Sequence, residues 1–109
     1  MVRLDDDGTT VTLDLHGLTV DEALSVTKQT LNLAEDRGRA TLRIIHGHST
    51  SGGIAPRTIK TALHDALDTG FLRPYREACH RQQGVLLISL GITAGAQDQP
   101  IRATDVWPP

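Results

Sequence analysis

Val11-Thr12-Leu13-Asp14-Leu15-His16-Gly17 decides how the rest of this chain is read. Apolar and polar residues alternate strictly as far as His16, which is the period of a half-buried strand. Val11, Leu13 and Leu15 take one face, and Thr12, Asp14 and His16 take the other. Gly17 ends the strand. Thr19-Val20-Asp21-Glu22 then has the form of a capping box, with Thr19 as N-cap and Glu22 placed to reach back to its amide. Val20, Ala23, Leu24, Leu31 and Ala34 fall on one face of the following helix, and Thr27 fills the gap in that stripe. Arg37 and Gly38 suit the helix's C-terminal end.

The pattern repeats downstream. Thr41-Leu42-Arg43-Ile44-Ile45-His46 reads as a second strand, rich in β-branched residues. A small, polar, glycine-rich loop follows, Gly47-His48-Ser49-Thr50-Ser51-Gly52-Gly53, and Pro56 suits the first turn of another helix. Ile59, Ala62, Leu63, Ala66 and Leu67 make that helix amphipathic, and Gly70 closes it. Phe71 to Ala78 reads as a weak extended stretch, an edge strand at best because of Pro74, and Cys79 to Gly84 as a polar turn. Val85 to Leu90 is a continuous apolar strand, expected at the centre of a sheet. The order predicts an α/β fold: a two-layer sandwich with a β-α-β-α-β-β mixed sheet and two helices on one face. Residues 1–10 read as a polar lead-in, residues 11–91 as the domain, and residues 92–109 as an irregular C-terminal tail, loose or packed along the surface.

Composition narrows the functional classes. The chain has 109 residues, enough for one domain and one core. Its longest strongly apolar run is Val85 to Leu90, far short of a bilayer span. Asp5, Asp6 and Asp7 near the start are unlike a secretory or transit leader, so the expected compartment is the cytoplasm. Cys79 is the single cysteine, which excludes an intrachain disulfide and a cysteine metal cluster. Phe71, Tyr75 and Trp107 are the only aromatics of the Phe/Trp/Tyr set, too few for several stacked bases. The net charge of −2 argues against a dedicated nucleic-acid coat protein. It conceals an asymmetry, however. Residues 1–40 carry eight acids and four bases, whereas residues 41–90 carry three acids and six bases, namely Arg43, Arg57, Lys60, Arg73, Arg76 and Arg81.

Chemistry-bearing residues gather at two strand ends. If the first two strands are parallel, their carboxyl ends share one edge, where ligands of open α/β sheets collect. Asp14, His16, His46 and the glycine loop would then meet there. Histidine exchanges protons near neutral pH, and a carboxylate orients a histidine, acts as a base or holds a divalent cation. The loop before the second helix offers backbone amides to an anion, with Gly52 and Gly53 allowing close approach and Arg57 and Lys60 in the first turns of that helix. This set suits phosphodiester hydrolysis better than acyl transfer. Simpler roles remain open for the same residues: Asp14 as the cap of a loop, and His16 as a turn residue bonded to backbone. Three histidines and an aspartate also suit Zn²⁺, although their spacing does not demand it. His64 and His80 read as surface residues. No Gly-Lys-Ser/Thr follows the glycines, which excludes a Walker loop.

Leu13-Asp14-Leu15-His16-Gly17 followed by Glu22-Ala23, and Ile44-Ile45-His46-Gly47 with its glycine-rich loop, resemble the two motifs of the Smr (small MutS-related) domain, over roughly residues 11–90. The resemblance implies a two-layer α/β sandwich, nucleic-acid binding and, in several members, metal-dependent or metal-assisted endonuclease activity on DNA or RNA. It assigns cleavage to Asp14 and His16, and substrate binding to His46, Gly47, Gly52 and Gly53. Where the family has His-Gly-Lys-Gly-Thr-Gly, this chain places His48 at the lysine and Ser49 at the second glycine. The reading that follows is an endonuclease in which Asp14, His16 and His46 are catalytic. Asp14 and His16 are the expected ligands of Mg²⁺ or Mn²⁺. Gly47, His48, Gly52, Gly53, Arg57, Lys60, Arg73 and Arg76 are expected to hold a DNA or RNA substrate. The alternative is a non-catalytic nucleic-acid-binding or adaptor module of the same fold.

Overall fold

The acidic start of the chain folds into a hairpin. In the computed structural model, which describes residues 2–47, 58–91 and 99–108, β1 (Arg3–Asp6) pairs antiparallel with β2 (Thr10–Asp14). The turn between them is built by aspartates. Asp6 Oδ1 accepts the Gly8 amide at 2.9 Å, and Asp7 Oδ1 accepts the amides of Thr9 and Thr10 at 2.8 and 2.7 Å. Such bonds from a side chain to the next amides are the reason aspartate favours turns. The expected lead-in therefore contains a strand. Its polar side chains concealed it, because β1 is an edge strand held mainly through its backbone.

From β2 the chain enters α1 (Val20–Asp36), then β3 (Thr41–Ile45) and α2 (Ile59–Thr69). The capping box at Thr19 is present: Glu22 N–H donates to Thr19 Oγ1 at 3.1 Å and Thr19 N–H to Glu22 Oε1 at 2.9 Å. A 3-10 helix over Arg73–Ala78 takes the place of the extended stretch expected there, with Pro74 in its first turn. The expected polar turn is also corrected. Cys79–Gln82 forms β4, and only Gln83 and Gly84 turn the chain into β5 (Val85–Ser89). β4 is an edge strand with three of its four residues exposed, so no apolar alternation announces it.

The five strands lie in the order β1-β2-β3-β5-β4, with β2 and β3 parallel and every other pair antiparallel. β5 is internal, as its continuous apolar run predicts. Val11 and Leu13, Leu42 and Ile44, and Leu86 and Ile88 are all buried on one sheet face. Ala23, Val26, Leu31 and Ala34 of α1 and Leu63, Ala66 and Leu67 of α2 belong to the same core. The opposite face carries Thr12, Asp14, Arg43, Ile45 and Leu87, all half-buried or exposed. This is the mixed-sheet, two-layer α/β architecture expected, with both long helices on one side.

The tail adds to the core. Ile101 is buried, as is Val106 in the short helix α3 (Ala103–Val106), and α3 packs against α1 and β1. Arg39 organises this contact from a fully buried position. It donates from Nε to Asp6 Oδ1 at 2.8 Å and from Nη2 to the Gln99 carbonyl at 3.0 Å. Asp6 Oδ2 in turn accepts the Ile101 amide at 2.8 Å. Arg37 Nη1 donates to the Pro100 carbonyl at 2.9 Å.

Candidate nucleic-acid interface

β2 and β3 run parallel with Asp14 beside Ile45, and the Leu15 amide continues the ladder by donating to the Ile45 carbonyl at 2.9 Å. Both strands therefore end at one rim, and both expected motifs lie there. After β2 the backbone turns at once. Asp14 Oδ1 accepts the His16 amide at 3.0 Å, Leu18 N–H donates to the Leu15 carbonyl at 3.2 Å, and Gly17 sits at φ +84°. This tight strand-to-helix turn leaves His16 exposed. The role of Asp14 as the cap of its own turn is thus realised, through one of its two carboxylate oxygens.

The end of β3 is held differently. The His46 amide donates to the Gly84 carbonyl at 3.0 Å, and so does the Gly47 amide at 3.1 Å. His46 Nδ1 lies 2.9 Å from the Gly47 carbonyl. A carbonyl only accepts, so the ring carries a proton on Nδ1. Gly47 takes φ +76°, where a side chain would be strained.

Alternation decides on which side of the sheet each group falls. Asp14 shares the uncovered face with Thr12 and Ile45. His46 continues the parity of Leu42 and Ile44 and meets α2, where its ring packs edge-to-face on His64 with centroids 6.3 Å apart. The rim gathers Asp14, His16, His46 and Gly47, but Asp14 and His46 lie on opposite faces of the sheet there. His48, Gly52, Gly53 and Arg57 lie outside the described residues. Lys60 is exposed on the first turn of α2, and Arg73 and Arg76 are exposed on the 3-10 helix.

Sequence reading missed His64, which is half-buried rather than a free surface residue. Burial pushes its imidazole pKa below the usual histidine value. The charges of Arg81, His46 and Lys60 push it the same way, against the opposite pull of Asp68. Asp68 is bridged at 3.7 Å by both Arg76 Nε and Arg81 Nη2. The sequence signal was available: Lys60, His64 and Asp68 are spaced four apart and form one line along α2.

Among the described residues no group of three or more His, Cys, Asp or Glu side chains is arranged to hold a metal ion. Asp14 offers a single carboxylate with one oxygen already engaged. The described residues thus do not form a ready-made cage for Mg²⁺ or Mn²⁺, which take most of their ligands as oxygen.

The family model of the Smr domain matches residues 13–91. The chain belongs to the Smr domain family. Smr domains are nucleic-acid-binding and often nuclease-related. The matched span runs from the last residues of β2 to just past β5 and includes both strand-end motifs, whereas β1 and α3 fall outside it. No curated protein and no solved structure matches the chain. No helix among the described residues of this Smr domain is long and apolar enough to cross a membrane.

Proposed function

We propose that this Smr domain is a cytoplasmic endonuclease that hydrolyses phosphodiester bonds in DNA or RNA at the rim where β2 and β3 end. The reading rests on one observation above all: the Leu15–Ile45 hydrogen bond and the parallel register bring both family motifs side by side. Asp14 holds the turn that presents His16. The exposed His16 imidazole serves as general acid or base at the reacting oxygen. His46, through its bond to the Gly47 carbonyl, fixes the backbone where the glycine loop departs. Lys60, Arg73 and Arg76 supply positive charge to the nucleic-acid backbone, together with the loop residues His48, Gly52, Gly53 and Arg57. Mg²⁺ or Mn²⁺ enters this reading as a requirement to be tested.

The test incubates the pure protein with labelled RNA and DNA in EDTA, in Mg²⁺ and in Mn²⁺. Cleavage by the wild type that falls at least about 100-fold in Asp14→Ala and His16→Ala is expected, the range typical of general acid–base contributions. Equal cleavage by all three proteins removes the reaction from this rim.

A non-catalytic binding module is the second reading, favoured by the placement of Asp14 and His46 on opposite sheet faces. Its mark is binding that weakens steeply with salt, as released counterions require, and yields no product.

A further inference from the structure

We propose that Lys60, His64 and Arg81 form a phosphate-binding station on the helix-covered side of the rim, beside His46, that grips the backbone of the nucleic acid next to the scissile bond. This rests on the nucleic-acid reading above and adds to it the side of the sheet on which the strand passes. Neither His64 nor Arg81 belongs to the expected motifs.

Three observations carry it. First, Lys60 and His64 are one helical turn apart on α2, and Asp68 follows one turn further. Second, Arg81 reaches this line from β4. It is paired with Leu86, whose side chain lies in the helix-covered core, so Arg81 leans toward α2, where its Nη2 meets Asp68 at 3.7 Å. Third, the His64 ring stands against His46, which leaves the strand end at the rim. Among the described residues, the charged or titratable groups that act on His64 are Arg81 from β4, His46 from the end of β3, and Lys60 and Asp68 from its own helix. Of these described groups three are basic, and the acid among them, Asp68, is bridged by Arg76 and Arg81. A phosphodiester carries the charge this corner lacks.

The same neighbours make His64 a reporter. Without an anion, burial and the surrounding bases disfavour the protonated ring. An anion seated between Lys60 and Arg81 reverses that field and favours imidazolium. Proton uptake is then linked to binding. Affinity is weakest where His64 stays neutral in both states, and it rises as pH falls into the range where only the bound form is protonated.

The experiment follows the His64 ring resonances of the full-length protein by NMR during pH titrations. These are run without ligand, with inorganic phosphate, and with a single-stranded oligonucleotide. The expected result is a rise of about one unit in the His64 midpoint with oligonucleotide, matched by binding that tightens, by at most about tenfold, as pH falls below the bound-state midpoint toward the free-state one. In anisotropy assays Arg81→Gln and His64→Gln should weaken binding, and His64→Gln should flatten its pH dependence. His80→Gln, on the uncovered face of β4, should bind as the wild type does. An unmoved His64 midpoint in the wild type overturns the proposal without relying on any variant. A response only to concentrated inorganic phosphate marks an adventitious ion only and also overturns it. Asp14-dependent cleavage that proceeds unchanged in His64→Gln and Arg81→Gln would sink the station and keep the nuclease. Station binding with no cleavage by the wild type would do the reverse.

Discussion

Gly17 and Asp14 together show how little of the rim is free to vary. The turn that presents His16 needs the left-handed backbone of Gly17 at φ +84° and the bond from the His16 amide to Asp14. A methyl group at Gly17 would meet nothing within 4 Å, so the obstacle to a side chain there is conformation alone. Gly17→Ala should lower stability by about 1–2 kcal/mol, the usual penalty for an L-residue in that region, read as a lower urea midpoint at unchanged slope. If the midpoint does not move, the turn relaxes to another shape and His16 is not held as described. The side of the sheet on which His46 falls was readable at this scale too. It shares parity with Leu42 and Ile44, while Asp14 shares parity with Thr12. Strand ends locate the rim, and side-chain parity assigns its two faces.

Among the elements, those that build the two-layer core were plain in the sequence. β2, β3 and β5 each bury alternate residues on one side, and α1 and α2 each bury one stripe, so periodicity exposes all five. β1 and β4 were not legible, for a physical reason. Edge strands are held by ladder hydrogen bonds that any residue with an N–H can make, and the side chains of Cys79–Gln82 are mostly in water. Two rows of polar residues look the same whether or not their backbones are paired. The helix start, in contrast, is written in side chains. Thr19→Ala deletes the oxygen that accepts the Glu22 amide and should cost about 0.5–2 kcal/mol, seen as a lower melting temperature with little change in far-ultraviolet circular dichroism. A loss well below that range would mean that packing of α1 alone sets its beginning.

Across the whole molecule, the Asp6–Arg39 ion pair ties β1 to the segment that leads into α3. Asp6 and Arg39 are both buried, and between them they bond to each other, to the β1–β2 turn and to residues 99 and 101. Burial alone would raise the Asp6 pKa. The hydrogen bonds from Arg39, Ile101 and Gly8 and the charge of Arg39 outweigh it and hold the carboxyl below its usual value. The sign follows: this contribution is fully present above the ordinary carboxylate value near 3.8 and is lost as pH falls through the lower, folded value. Asp6→Ala leaves a buried guanidinium facing an empty position and should cost about 3–5 kcal/mol. Hydrogen exchange should then quicken at Ile101 and Val106 before it does in β3. Uniform exchange across both regions would show that the tail is not tied through Asp6.

That shared anchor bears on where this Smr domain can be cut. The family match stops at residue 91, yet Ile101 and Val106 pack beyond it and Arg39 donates to the carbonyl of Gln99. A fragment cut after residue 91 would uncover the apolar surface of α1 and β1 that α3 covers, and would strip Asp6 and Arg39 of two backbone partners. Experiments on an excised module would then report on a weakened, self-associating relic, and a failure of that fragment to cleave nucleic acid would say nothing about the rim.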